Sequence, residues 1–168
     1  MNKKLSLEMI NQMDRKSFTE ALGWIFEHSP WIAERAWAKR PFFRVSCLHH
    51  VMKSVVNEAT MEKKLALLRA HPDLASRVQM ANASIKEQSD ASLDQLTEEE
   101  YEDFLTLNKA YTEKFGFPFI MAVRGQNKDS IRESIQERLQ LSPETELLEA
   151  LCQIYKIACF RLYDLINE

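Results

Sequence analysis

Apolar residues recur along this chain at intervals of three and four, the spacing that gathers side chains on one face of an α-helix. The first such face is Phe18, Leu22, Ile25 and Phe26, and Ser17-Phe-Thr-Glu20 has the spacing of a capping box at its start. Ser29-Pro30 predicts the start of a second helix carrying Ile32, Ala36 and Trp37, stopped by Pro41. A third, over residues 43–57, repeats as Val45, Leu48, Val51, Met52 and Val55. Met61 to Arg69 predicts a fourth, closed by His71-Pro72. Thr97-Glu-Glu-Glu100 is a further capping box, opening a helix with Tyr101, Phe104, Leu105, Leu107, Asn108 and Tyr111. Ile131, Ile135 and Leu139 mark a helix near 127–139, and Ser142-Pro143-Glu144 opens the longest one, to about residue 166.

Two stretches break the period. Residues 72–96 are rich in Ser, Asn, Asp and Gln and poor in large apolar groups. Residues 115–126 are apolar without a helical repeat. The sequence has no internal repeat, low-complexity segment or long linker, so one domain over residues 1–168 is expected. The fold class is all-α: a single-domain bundle of about seven to eight helices, with the two irregular segments lying together over the last helix and forming a pocket. The three glycines agree, since hairpin-rich folds need many positions of positive φ.

Composition narrows the function classes. Of 168 residues, 45% are apolar and 28% charged, which is ordinary globular usage. No stretch approaches the ~18 apolar residues of a membrane span, and the most apolar run, Phe117–Val123, is far shorter. Lys and Arg number 22 against 25 Asp and Glu, a net charge of −3 that argues against nucleic-acid binding. The three cysteines, Cys47, Cys152 and Cys159, have no metal-ligand spacing and read as reduced thiols. The N-terminal Met-Asn-Lys-Lys-Leu-Ser-Leu-Glu lacks the apolar stretch of a signal peptide, and the C-terminal Asp-Leu-Ile-Asn-Glu is not a peroxisomal address. A cytoplasmic protein is expected.

Three features point to chemistry. Leu147, Leu151, Ile154, Ala158, Arg161 and Leu165 are spaced 4-3-4-3-4, which places Arg161 inside a core-facing seam. A guanidinium there either snorkels to solvent at the rim or needs an anion, a structural glutamate or a carboxylate-bearing ligand. His71, between a helix end and Pro72, is a candidate acid–base group on a fixed turn. His49 and His50 are adjacent, point about 100° apart on a helix and would not chelate one metal together. No HExxH, CxxC or carboxylate cluster is present, so no metal site is expected. Finally, Gly116 and Pro118 bias the Phe115–Arg124 run away from helix, and buried irregular backbone leaves N–H and C=O groups seeking partners, among them a ligand.

In order along the chain, the motifs are His71-Pro-Asp-Leu-Ala75, Ser84-x-x-Glu87-Gln88-Ser89, Lys114-Phe-Gly-Phe-Pro-Phe-Ile120 with Ala122-Val-Arg124, and Ile157-Ala158-x-x-Arg161-Leu162. Together with the earlier Trp37-x-x-Arg40-Pro41-Phe42, they resemble the 2-oxo-4-hydroxy-4-carboxy-5-ureidoimidazoline (OHCU) decarboxylases over about residues 18–166. The resemblance implies an all-helical, usually dimeric, cofactor-free carboxy-lyase of urate and purine breakdown that makes (S)-allantoin. It implies His71, Glu87 and Arg161 as catalytic residues. It implies Pro72, Ser84, Ile85, Lys86, Glu87, Gln88, Phe119, Ile120, Met121, Ala122 and Val123 as substrate-binding residues, with Ile85, Lys86 and Met121 contributing backbone. The expected form is free-standing, with a small-molecule substrate, a homodimeric state and neither nucleic-acid nor membrane partners. The competing expectation is a catalytically silent helical module that binds a purine-derived ligand; His71, Glu87 and Arg161 occurring together argue against it.

Overall fold

The structure is a computed structural model that describes residues 4–74 and 96–168. These residues carry eight α-helices and one short strand pair: β1 (Leu5–Ser6), α1 (Leu7–Gln12), α2 (Arg15–Leu22), α3 (Pro30–Ala36), α4 (Val45–Asn57), α5 (Met61–Ala70), α6 (Glu98–Phe115), α7 (Lys128–Arg138), α8 (Pro143–Leu165) and β2 (Ile166–Asn167). The predominantly helical class expected from periodicity holds. Chain contacts divide it into two units, Met1–Ala70 with Tyr155–Glu168, and His71–Ile154. Helix α8 contributes to both, changing unit between Ile154 and Tyr155.

In the first unit, the capping box expected at Ser17 is not the helix start. Asp14 caps α2 instead, its carboxylate accepting from the Ser17 amide at 2.7 Å, and Ser17 and Glu20 lie inside the helix. Aspartate at the N-cap meets an orphan amide with a full negative charge, favourable at the positive end of the helix dipole. Its carboxyl is held below the ordinary range by that backbone hydrogen bond. The helix ends at Leu22, yet Ile25 and Phe26 beyond it are still buried, so the apolar face expected of one helix continues into the loop that follows it. In α3, Pro30 takes the first turn as expected, whereas Ser29 makes no side-chain cap and donates to the Glu27 carbonyl. Trp37 falls in a 3₁₀ turn, where its indole donates to the Met13 carbonyl at 3.0 Å and the Arg40 guanidinium lies 4.1 Å from the ring centre.

Helix α4 buries Val45, Leu48, Met52 and Val56, so Val56 rather than Val55 completes the stripe. Helix α1 and the parallel pairing of Leu5 with Ile166 and Ser6 with Asn167 had no signal in the periodicity. A strand of two residues is too short to show the alternation that marks half-buried strands.

His49 sits on α4, half-buried, with Nε2 donating to the Tyr155 carbonyl at 2.8 Å, while the Tyr155 hydroxyl donates to Asn57 at 2.7 Å. Burial dominates and lowers the His49 pKa from its usual 6.5, despite the opposing hydrogen bond. The unfolded chain therefore binds more protons than the native one between the depressed native value and pH 6.5. This part of the stability is present above pH 6.5 and is lost as pH falls through the depressed native value. Melting temperatures across pH 5–7.5 should fall towards acid more steeply for wild type than for His49→Gln. Parallel curves would show that His49 does not contribute.

In the second unit, the Thr97 capping box forms as expected: Thr97 accepts from the Glu100 amide at 3.1 Å and Glu100 accepts from the Thr97 amide at 3.3 Å. Such caps contribute about 1 kcal/mol. Helix α6 ends at Gly116, whose φ of 77° is the left-handed conformation that closes helices without a Cβ penalty. Asn127 caps α7, and Lys114 reaches across to the Leu139 and Leu141 carbonyls that follow that helix. The core of this unit gathers Phe104 and Tyr111 of α6, Ile131 and Ile135 of α7, Ala150, Leu151 and Ile154 of α8, and Phe117, Phe119 and Ile120 from the segment between α6 and α7.

Candidate functional site

His71 directly follows α5, and Pro72 allows no continuation of the helix. The histidine is 4% exposed, Leu74 beside it is buried and Pro72 is exposed. A buried imidazole next to a rigid Pro fits an acid–base group better than a surface histidine does. Ser84, Ile85, Lys86, Glu87 and Gln88 lie outside the described residues.

The 115–126 segment is non-helical, as expected, from Gly116 to Asn127. Phe119, Ile120 and Ala122 are buried, while Met121 and Val123 are half-exposed. The Phe119 ring makes an edge contact with Tyr111 at 5.2 Å and lies 4.4 Å from the Arg138 guanidinium carbon. Phe119 and Ile120 thus point their side chains into the core, and the backbone is what the segment can offer a ligand. Two of its backbone groups are held from α7 and α8. The Ile120 carbonyl accepts from Arg138 Nη1 at 2.7 Å, and the Ala122 amide donates to Gln153 Oε1 at 3.0 Å.

Arg138 is itself fixed. Its Nε donates to Glu146 Oε1 at 2.8 Å, its Nη2 pairs with the same oxygen, and the Tyr111 hydroxyl also donates there. Arg138 is 5% exposed and Glu146 and Tyr111 are 0% exposed, so a full ion pair and a phenol share one dry site. Burial, helped by the hydrogen bond to the Glu146 carboxylate, pushes the Tyr111 pKa far above its usual value, so Tyr111 remains a donor. Sequence reading missed this cluster, although its signal was present. Arg138 stands at the 4-3 spacing behind Ile131 and Ile135, and Glu146 stands four residues before Ala150. The same kind of spacing singles out Arg161 in α8.

Arg161 is in the first unit. Buried positions along α8 there are Tyr155, Ala158 and Leu162, followed by Ile166, so Leu162 occupies the seam and Arg161 stands at its edge, its side chain 24% exposed. Leu147 and Leu165, expected in the seam, are half-exposed. The anion the arginine needs includes a structural one: Nη2 pairs with Glu27 at 2.5 Å and Nη1 donates to the Ile25 and Trp24 carbonyls at 3.1 and 3.3 Å. Loop residues beyond α2 therefore hold this guanidinium in place.

Among the described residues, no group of three or more His, Cys, Asp or Glu side chains could hold a metal ion. No helix among them is long and apolar enough to cross a membrane.

The family model described as OHCU decarboxylase matches residues 11–163 of this chain. The 2-oxo-4-hydroxy-4-carboxy-5-ureidoimidazoline decarboxylase of Haloferax volcanii is 48% identical, over 96% of this chain and 96% of the relative. The uric acid degradation bifunctional protein of Bacillus subtilis is 47% identical over 97% of this chain, which spans 33% of that longer protein. A solved structure of (S)-allantoin synthase superposes with a TM-score of 0.80 at 34% identity, covering 97% of this chain and 54% of that one.

Proposed function

The chain belongs to the OHCU decarboxylase family, and from that premise we propose that it converts 2-oxo-4-hydroxy-4-carboxy-5-ureidoimidazoline to (S)-allantoin in urate degradation, without a cofactor. The observation that carries this reading is the near-complete, co-linear match to the Haloferax decarboxylase. A buried histidine on a helix-ending turn and a buried non-helical backbone segment fit it chemically.

The substrate bears a carboxylate and a hydroxyl on one ring carbon. Breaking the bond to the carboxylate releases CO2 and leaves the electron pair on that carbon, where the adjacent carbonyl–imine system spreads it. A proton then returns to one face, which fixes the configuration of the product. His71 handles that proton, and Glu87 orients the substrate or His71. Arg161 offsets negative charge on the substrate or on Glu87, its guanidinium held by Glu27. The backbone of Phe119, Ile120, Met121, Ala122 and Val123 grips the ring, with Pro72 and the Ser84–Gln88 run (Ile85 and Lys86 through their backbone) completing the contacts. Donors aimed at developing charge are worth roughly 3–4 kcal/mol each.

We also infer that residues 1–168 act as one domain, that two copies form a homodimer, and that the protein works in the cytoplasm, where its three free cysteines stay reduced.

The test generates the unstable substrate in situ with urate oxidase and hydroxyisourate hydrolase and follows allantoin by circular dichroism. The expected result is rapid accumulation of the (S)-enantiomer. A trace matching the enzyme-free control, where decay gives racemic product, would remove the decarboxylase reading in favour of a silent ligand-binding module.

A further inference from the structure

We propose that Arg138 and Gln153 are positioning residues that present the Met121 backbone to the substrate, an inference that rests on the assignment of residues 119–123 to ring binding. Phe119 is buried, and from Ile120 onward burial alternates: Ile120 and Ala122 are buried, Met121 and Val123 are half-exposed. That is the period of extended chain. In such a chain the carbonyl of one residue and the amide two positions later share an edge, and the groups of the residue between them face the other way. The two groups on the inner edge are both taken by side chains. Arg138 holds the Ile120 carbonyl at 2.7 Å and Gln153 holds the Ala122 amide at 3.0 Å. Between them stands Met121, and among the described residues no hydrogen bond takes its amide or its carbonyl.

Each clamp is itself locked by a carboxylate on α8. Glu146 takes two nitrogens of Arg138, and Glu149 accepts from Gln153 Nε2 at 2.7 Å. The two locking residues lie three apart, and Gln153 follows Glu149 by four, so about two turns of α8 set the inner edge. A donor and an acceptor, on the Met121 amide and carbonyl, are what an imidazolone or ureido group, itself carrying both, would pair with. Misplacing such groups by about 1 Å can cost on the order of 100-fold in rate.

Gln153→Met keeps the side-chain length and removes the acceptor for the Ala122 amide. The expected result is a loss in kcat/KM of about 10–100-fold, falling mainly on KM, with a matching loss of affinity for (S)-allantoin in calorimetric titration. The exchange Glu149→Gln with Gln153→Glu reverses the two groups yet keeps both hydrogen bonds, and it should restore most of the loss. Amide exchange in the ligand-free protein gives a readout independent of activity: Ala122 should exchange faster in Gln153→Met and return to slow exchange in the double variant. Wild-type KM and allantoin affinity in Gln153→Met, beside an active wild type, would overturn the inference alone. A loss that only tracks the fraction of folded protein would also overturn it, since a structural role alone predicts that. Racemic product from the wild type would instead remove the functional reading beneath it.

Discussion

Replacing His71 by alanine is expected to slow production of (S)-allantoin by about 10²–10⁴-fold, the usual contribution of a positioned acid–base group. The physical argument has two parts. The residue is 4% exposed and lies on a bend followed by Pro72, which restricts its backbone, so the group is held out of bulk solvent. Among the other histidines, His49 is committed to the Tyr155 carbonyl in the other unit. His71 follows the last residue of α5, and alanine keeps the backbone amide and carbonyl at that position, so the helix end is left intact. Far-UV circular dichroism and a thermal melt should find the variant folded. Single-turnover decay of the substrate, corrected for the folded fraction, measures the effect. Turnover equal to wild type would end the assignment of His71.

The largest effect on stability should come from Arg138. Arg138→Met leaves the Glu146 carboxylate at 0% exposure with the Tyr111 hydroxyl as its remaining partner. Removing one member of a buried ion pair costs about 3–5 kcal/mol, because the abandoned charge has been taken out of water with nothing to compensate it. That approaches half of the total stability of an ordinary domain. Replacing all three polar members together, Tyr111→Phe, Arg138→Met and Glu146→Leu, removes the charge as well as its partner. Most of the loss should return, since apolar side chains of similar volume satisfy a dry site at least as well as an ion pair does. Urea titration of the three proteins reads this directly. A single variant within 1 kcal/mol of wild type would show that the pair is hydrated. The triple variant also separates stability from activity. It still lacks a donor for the Ile120 carbonyl, so it should fold and remain slow.

Much of this was legible in the chain. The spacing of apolar residues predicted α2 to α8, because burying one stripe of a helix requires side chains every three to four positions. The Thr97 box and Gly116 marked the two ends of α6, because capping depends on side chains within a turn of the terminus. The motif order around His71 and Arg161 identified the family, and Pro118 with Gly116 marked the stretch that is not a helix. The prediction missed both ends of α2: Asp14 rather than Ser17 caps it, and it stops at Leu22 although Ile25 and Phe26 beyond it are buried.

Tertiary structure alone decided which charged groups meet. Arg138 and Glu146 are eight residues apart, and Tyr111 is 35 positions before Glu146. No periodicity links α6, α7 and α8, so their pairing depends on how the three helices pack. The same holds for Arg161, whose spacing left open whether it snorkels at the rim, pairs with a glutamate or faces a ligand. Glu27, 134 positions away, is brought to it by the fold. Local pattern specifies where a helix begins, which face it buries and that an arginine on that face must be neutralised. The identity of the neutralising group depends on contacts between distant segments, which a one-dimensional period does not encode.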